Sequence, residues 1–352
     1  MTKINKRIEI VSSAHLDLSQ MSQRSRQAIE VVLAKHYADV RICIVNSLAD
    51  LEALVVRQPD LVFLGMECLP IDQDLGLMDP NKIWLAEYFD ERGIIYTGSC
   101  RAAIEIGRDK SLAKQGIHEA GLNTAPFLVV RRNQLLKTEQ LPSAFPLFVK
   151  PVSRGGGAGI DSDSIVYDLD QLKAKVLTIA IKHHSDSLVE EYLPGREFSV
   201  AILKCELSTG YSVMPIELIA PLDRRGARLL SAEVKNADTE RSIEVTDEAT
   251  KLKVCKLAID VFHALGARDY GRIDIRMDEF GTPHFLEANL IPSLKRSDGN
   301  YFPKACHLSL NLDYDSMILR IVRLALDRAP KIIEDLSKSV YADGFLPILE
   351  AV

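Results

Sequence analysis

No stretch of this 352-residue chain is apolar over the ~18 residues that would suggest a membrane-spanning helix. Its first eleven residues are basic but carry no sustained apolar segment and no small-residue cleavage site, so the start reads as that of a soluble chain without a leader. The six cysteines, Cys43, Cys68, Cys100, Cys205, Cys255 and Cys306, form no C-x-x-C pair and have no histidine nearby at zinc spacing. Free thiols in a reducing cytoplasm are therefore expected. Positive charge is not in excess, with 43 Lys and Arg against 49 Asp and Glu and a net charge of -6, which removes any global basic field for nucleic acid. There is no internal repeat, no low-complexity segment and no G-x-G-x-x-G, so a dinucleotide-binding oxidoreductase is not supported. What remains is 47% apolar and 26% charged, a globular composition at a length that suits two or three domains.

The first hundred residues alternate strand and helix patterns, which predicts an open parallel α/β unit. Strands are expected at 7–12, 40–45, 60–65 and 94–98, and helices at 22–36, 48–57 and 81–91. Ligands of such a sheet sit at the carboxyl ends of its strands, here near residues 12–15 and 66–69. A helical stretch at 100–121, broken near Gly107, leads into strands at 127–130, 147–151, 164–167 and 188–193 with a helix at 169–183. A third region opens near Gly195 with strands at 197–204 and 211–219. A helix at 247–265 follows, with Thr246 as its N-cap and Gly266 to stop it. A hairpin about Gly281 and a final helix at 312–328 complete the pattern.

Three windows carry chemistry. Phe148-Val149-Lys150-Pro151 is a strand that delivers a lysine, and Gly155, Gly156, Gly157 and Gly159 follow it. Such a backbone can turn its amides toward an anion. It is no Walker loop, because there is no Gly-Lys-Ser/Thr and the next segment reads as a strand; taken alone it also fits a flexible connection. In the second window, Arg272 and Asp274 share one face of a strand, and Glu287 and Asn289 share one face of its hairpin partner. Two carboxylates, an amide oxygen and a guanidinium suit Mg2+ and phosphate, and Glu287 and Asn289 lie in an apolar run where unpaired charge is costly. The third window, Val189-Glu190-Glu191-Tyr192-Leu193-Pro194-Gly195-Arg196-Glu197, offers acids that could accept from an amino group or ribose hydroxyls, or simply solvate a linker.

Together with Arg108-Asp109-Lys110 at a helix start, these windows resemble the ATP-grasp superfamily, in its D-alanine-D-alanine ligase branch, over roughly residues 94–328. The resemblance implies a three-domain α/β ATP-grasp fold: an N-terminal open parallel domain (1–107), a small central α+β domain with the glycine-rich loop (108–194) and a C-terminal α+β domain with the metal site (195–352). It also implies roles. Lys110 and Lys150 would contact phosphates beside the Gly155–Gly159 loop. Glu190, Tyr192 and Leu193 would hold adenine, and Glu197 the ribose. Lys235 would reach the γ-phosphate from a mobile loop. Asp274, Glu287 and Asn289 would bind two Mg2+, replaceable by Mn2+, and Arg272 would steady the transferred phosphoryl group.

The match fails where the family holds its substrates. His15 stands at its glutamate in the first loop, Gly156 and Gly157 at its phosphate-loop serine, and Asn236 at the tyrosine after the loop lysine. Pro292-Ser293 replaces its Pro-Gly turn, Asp298-Gly299 its Ser-Leu pair, and Met66-Glu67-Cys68-Leu69-Pro70 its histidine-glycine segment. The expectation is an ATP-dependent carboxylate-amine ligase with a different substrate pair. His15 and Asp17 would face the donor or the amine, and Ser293, Lys295, Arg296, Asp298 and Asn300 would line the acceptor region. D-alanine-D-alanine ligase proper and a small-molecule carboxylate kinase are the alternatives. The partners implied are a small carboxylate and an amine, with no nucleic acid and no membrane, and the family's homodimer is left open.

Overall fold

Apolar residues at 8, 10 and 11 bury the first strand from both sides, as a central parallel strand requires. In the computed structural model, which describes residues 2–15, 18–19, 21–132, 141–206, 209–296 and 300–328, that strand is β1 (Ile4–Ser12). It pairs in parallel with β2 (Tyr37–Ile44) and β3 (Leu61–Leu64), in the order β2-β1-β3. The crossovers are α1 (Gln23–His36), capped by Ser22, and α2 (Leu48–Val56), opened by a Ser47–Asp50 capping box. The segment expected as a strand at 94–98 makes only a single bridge, Val62 to Tyr96. The Thr97 hydroxyl accepts from the Leu64 amide at 2.9 Å, so a side chain takes the place of the next ladder carbonyl and the pairing stops.

The helix expected at 81–91 is shorter. β4 (Cys68–Leu69) and β5 (Ile83–Trp84) form a two-stranded ladder, and the helix, α3 (Leu85–Asp90), begins only after it. Next come α4 (Arg101–Arg108) and α5 (Lys110–Glu119). The break falls at Asp109 rather than Gly107, because the Asp109 carboxylate accepts from the Ser111 and Leu112 amides and caps α5.

The central sheet is antiparallel, in the order β6 (Phe127–Val130), β9 (Ser187–Glu191), β7 (Leu147–Pro151), β8 (Ile165–Val166), and α6 (Leu169–His183) packs on it, with its Leu172 and Ile179 in one core with Val149 and Val189 of the sheet. The larger sheet holds β10 (Glu197–Lys204), β11 (Tyr211–Ile219), β12 (Arg241–Glu244), β13 (Tyr270–Met277) and β14 (Pro283–Asn289), in the order β12-β11-β10-β13-β14. Between β11 and β12 lies a helix not foreseen, α7 (Ala232–Ala237). Helix α8 (Glu248–Ala264) is capped by Asp247, whose side chain accepts from the Ala249 amide, and not by Thr246. It covers the sheet face made by Phe198, Val200, Ile202, Ile273 and Ile275. A second unforeseen helix, α9 (Tyr301–Leu310), covers part of the opposite face, over Ala201, Leu203, Met214 and Ile216, and α10 (Tyr314–Asp327) packs against α9, α1 and β3 in the same apolar core.

Cys43, Cys68, Cys100, Cys255 and Cys306 carry free thiols. Burial pushes the Cys68 thiol up to about 11 and the Cys306 thiol up to about 12, and neither is exposed to solvent. Since the thiolate is the nucleophile, iodoacetamide at pH 8 should leave both unmodified in the native protein and label them in urea, as read by mass spectrometry. Native labelling at the unfolded rate would contradict the packing around them.

Candidate active site

Period-two alternation sorts the large sheet into two chemistries. Odd positions on β13, Ile273, Ile275 and Met277, enter the core under α8. Arg272, Asp274 and Arg276 therefore share the other face. Along β10 that face carries Glu197, Ser199, Ala201 and Leu203. Ala201 and Leu203 are sealed within the apolar core that includes α9, whereas Glu197 and Ser199 lie opposite Arg276 and Asp274. On β14, Glu287 pairs with Asp274 and Asn289 with Arg272. The register slips after Asp274, so that Ile275 faces Phe285. Leu286 is the extra residue of this bulge, and it turns into the cavity beside Glu287.

This charged end of the sheet faces the glycine-rich loop and the β9 edge across a slot. Its walls include Phe148, Lys150, Gly157, Ala158, Ile160, Glu190, Tyr192, Leu193, Glu197, Leu218, Leu229, Lys235, Asp274, Leu286 and Glu287. Apolar side chains and one edge of backbone form one end, and lysines and carboxylates the other. Gly157 has φ +81, and a Cβ there would stand 2.8 Å from the Ala232 amide nitrogen. Only glycine lets the loop lie this close to the start of α7. At Gly159, with φ +77, a Cβ would strike the Pro151 ring at 2.5 Å. Lys235 sits on α7, a helix capped by Ser231, which corrects the expectation of a loop: the hydroxyl accepts from the Val234 amide at 3.2 Å and starts a turn.

The charges are arranged as compensated groups. Lys150 Nζ is 2.6 Å from one Glu190 oxygen, and the fully buried Lys114 lies 2.9 Å from the other. Burial would raise the Glu190 pKa, but these two ammonium groups outweigh it and hold the carboxyl below its ordinary range. The Glu190 carboxylate thus stands between the two lysines and also lines the slot beside Tyr192 and Leu193. Lys110 Nζ donates to the Arg154 carbonyl at 2.6 Å and lies 3.2 Å from Glu287. Glu287 is likewise drawn down: burial is overcome by Lys110, Lys235, Lys150 and Arg272. Arg272 grips Asp274 through two bonds of 3.0 and 2.8 Å, and Ser199 donates to the same carboxylate at 2.7 Å. Glu197 is the exception, because burial raises its pKa despite the Arg276 guanidinium 2.7 Å away.

A second cavity of about 520 Å3 adjoins the slot, and the two share Lys110, Arg154, Ala158 and Glu287. Gly155, Gly156 and Asn289 line it, with Glu67, Arg108, Ser19 and a run of apolar side chains. His15, Ser293, Lys295, Arg296 and Asn300 line neither space. Arg296 pairs with Asp315 at 3.1 Å, and Asn300 precedes α9 without a side-chain cap bond. Asp17 and Asp298 lie outside the described residues.

Three site residues escaped the sequence reading. Lys114 stands one helical turn after Lys110, a spacing that places both on one face. Arg276 continues the Arg272, Asp274 alternation and donates to the Leu193 carbonyl at 2.6 Å as well as to Glu197. Arg108 was read only as part of a motif.

The fold and this site define an ATP-grasp protein, in which two sheets enclose a nucleotide. The sequence model described as "D-ala D-ala ligase C-terminus" matches residues 117–323. The chain belongs to that family, and is by that membership an ATP-dependent ligase. It is 27% identical over 318 residues to the D-alanine–D-alanine ligase of Pelobacter propionicus, covering 85% of this chain and 96% of that one. Over 241 residues it is 29% identical to the enzyme of the same name from Hydrogenovibrio crunogenus, covering 67% and 71%. The structure superposes on the crystal structure of D-alanine–D-alanine ligase from Bacillus anthracis complexed with ATP, with a TM-score of 0.67 at 20% identity, over 92% of this chain and 98% of that one.

Proposed function

We propose that the protein joins a small carboxylic acid, such as an amino acid, to an amine through an acyl phosphate, and that its substrates are not two D-alanines. The observation that carries this reading is the junction of the two spaces: Lys110 and Glu287 belong both to the nucleotide slot and to the adjoining cavity. A γ-phosphate brought to that junction would meet a carboxylate brought from the other side. Lys110, Lys150 and Lys235 would spread the phosphoryl charge, with Arg272 as the group that steadies it, in a site whose water is displaced. The carboxylate attacks phosphorus and ADP leaves; the amine then attacks the acyl carbon, phosphate departs and an amide remains. Apolar Phe148, Leu218 and Leu286, with the backbone of Tyr192 and Leu193, suit the base. Glu197, held by the Arg276 guanidinium at 2.7 Å, suits a ribose hydroxyl. The units for these tasks are 1–107, 108–194 and 195–352.

The donor set fits Mg2+. Asp274 and Glu287 oppose each other across two strands with Asn289 alongside, and these are oxygen ligands of the kind hard cations take. No group of three or more His, Cys, Asp or Glu that could hold a metal occurs among the described residues, so phosphate oxygens and water would complete the shell. When bound, such ions offset the charge of the triphosphate. Asp274, Glu287 and Asn289 would hold such an ion, and Arg272, bonded to Asp274 at 3.0 and 2.8 Å, would stand beside the phosphoryl group.

The test is phosphate release from MgATP over a panel of acids, amines and amino-acid pairs, with mass identification of the product. Release is expected only when an acid and an amine are both present, and D-alanine alone should give a negligible rate. Efficient D-alanyl-D-alanine formation would overturn the substrate proposal; steady release without any amine would favour the kinase reading.

A further inference from the structure

Arg108 and Glu67 are the unexplained ionic pair of the second cavity. Arg108 ends α4 and Lys110 begins α5, so one turn of chain presents two cations. Lys110 lines both spaces, whereas Arg108 lines the cavity and not the slot. Its Nη1 donates to Glu67 at 2.6 Å, and both side chains are only 17% exposed. A guanidinium has five donors, and among the described residues Glu67 is its one recorded hydrogen-bond partner. The rest of the fork is largely withdrawn from bulk water yet borders a space of about 520 Å3, well within the range of small-molecule sites. The neighbouring cation, Arg154, is already turned to the His183 carbonyl at 2.9 Å.

Resting on the ligase reading above, we propose that Arg108 is the receptor for a free carboxylate on the amine substrate, and that Glu67 is the positioning residue that aims it. A fork with unused donors matches a carboxylate bidentately. The carboxylate that becomes phosphorylated is used at the Lys110–Glu287 junction, so the one at Arg108 belongs to the other substrate. The amine substrate is then an amino acid or a peptide, and amines without a carboxylate are poor acceptors.

The experiment uses the whole enzyme with Mg2+ and ADP, melted in the presence of each common amino acid, both enantiomers of alanine, and the corresponding carboxamides. At least one amino acid should raise the melting temperature where its amide does not. Arg108→Met should erase that difference, and Arg108→Lys, which keeps the charge against Glu67 but loses the fork, should fold and retain part of it. In phosphate release, both variants should raise the amine substrate's KM about tenfold or more, with a smaller effect on kcat and none on the KM for ATP. Equal response to acids and amides, no response to any amino acid, or undiminished acid selectivity in Arg108→Met would each overturn the assignment. Absence of phosphate release with every acid and amine would instead overturn the ligase reading, and the melting comparison would still decide Arg108.

Discussion

Glu287→Ala should lower phosphate release by roughly 10^2- to 10^3-fold or more, the scale on which a single group aimed at developing charge acts, while ATP affinity changes far less. The carboxylate sits where four cations converge: Lys110 lies 3.2 Å away, and Lys150, Lys235 and Arg272 all draw its pKa down. In the free protein it balances that charge; in the proposed reaction the triphosphate would take over the balance and Glu287 would hold a cation. Removal therefore spares the slot's affinity for an anion and removes the means of orienting it. Glu287→Gln should be nearly as inactive, because a neutral amide replaces the charge the cation needs. Stopped-time phosphate assays paired with nucleotide titration read the two effects separately. A variant with near-wild-type turnover would remove Glu287 from the site altogether.

The charged face of the large sheet was legible because strands reveal their faces by alternation. Arg272 and Asp274, then Glu287 and Asn289, are two positions apart, and the turn at Gly281 folds one strand onto the other. The hidden detail was the bulge, since nothing in Phe285-Leu286-Glu287 says which residue is extra. Leu286 reached the slot only because the register slips beside Asp274. Local competition for hydrogen bonds was similarly invisible at Thr97, whose side chain ended an expected strand.

The substrate-facing expectations rest on the resemblance alone, and there the spatial outcome differs. His15, Ser293, Lys295, Arg296 and Asn300 stand outside both spaces, and the cavity is built from Glu67, Arg108 and the glycine-rich loop. Glu67 comes from the chain after β3 and Arg108 from the end of α4, 41 positions apart. No local pattern links them. Lys114 was missed for a related reason: a lysine on an amphipathic helix ordinarily snorkels to water, and only the arrival of Glu190 from β9 makes full burial tolerable.

That buried group separates two variants that a contact diagram would treat alike. Lys150→Met is expected to abolish turnover, with loss on the same 10^2- to 10^3-fold scale, yet to fold nearly as well as wild type: Glu190 keeps Lys114 at 2.9 Å, so one neutral pair remains where one excess positive charge stood. Glu190→Gln should lose activity and stability together. It leaves Lys114, which is wholly buried, and Lys150 side by side without an anion, and unpaired buried charge costs about 3–5 kcal/mol. Among the described residues Lys114 would keep the Thr124 hydroxyl at 2.7 Å, the Phe285 carbonyl at 3.4 Å and the Phe127 ring at 5.7 Å, none of them an anion, so its ammonium is the group most prone to give up its proton. Denaturant unfolding of both variants beside the phosphate assay draws the distinction. If Lys150→Met turns over normally, Lys150 is not a phosphate ligand. If Glu190→Gln is as stable as wild type, the carboxylate does not hold the two lysines.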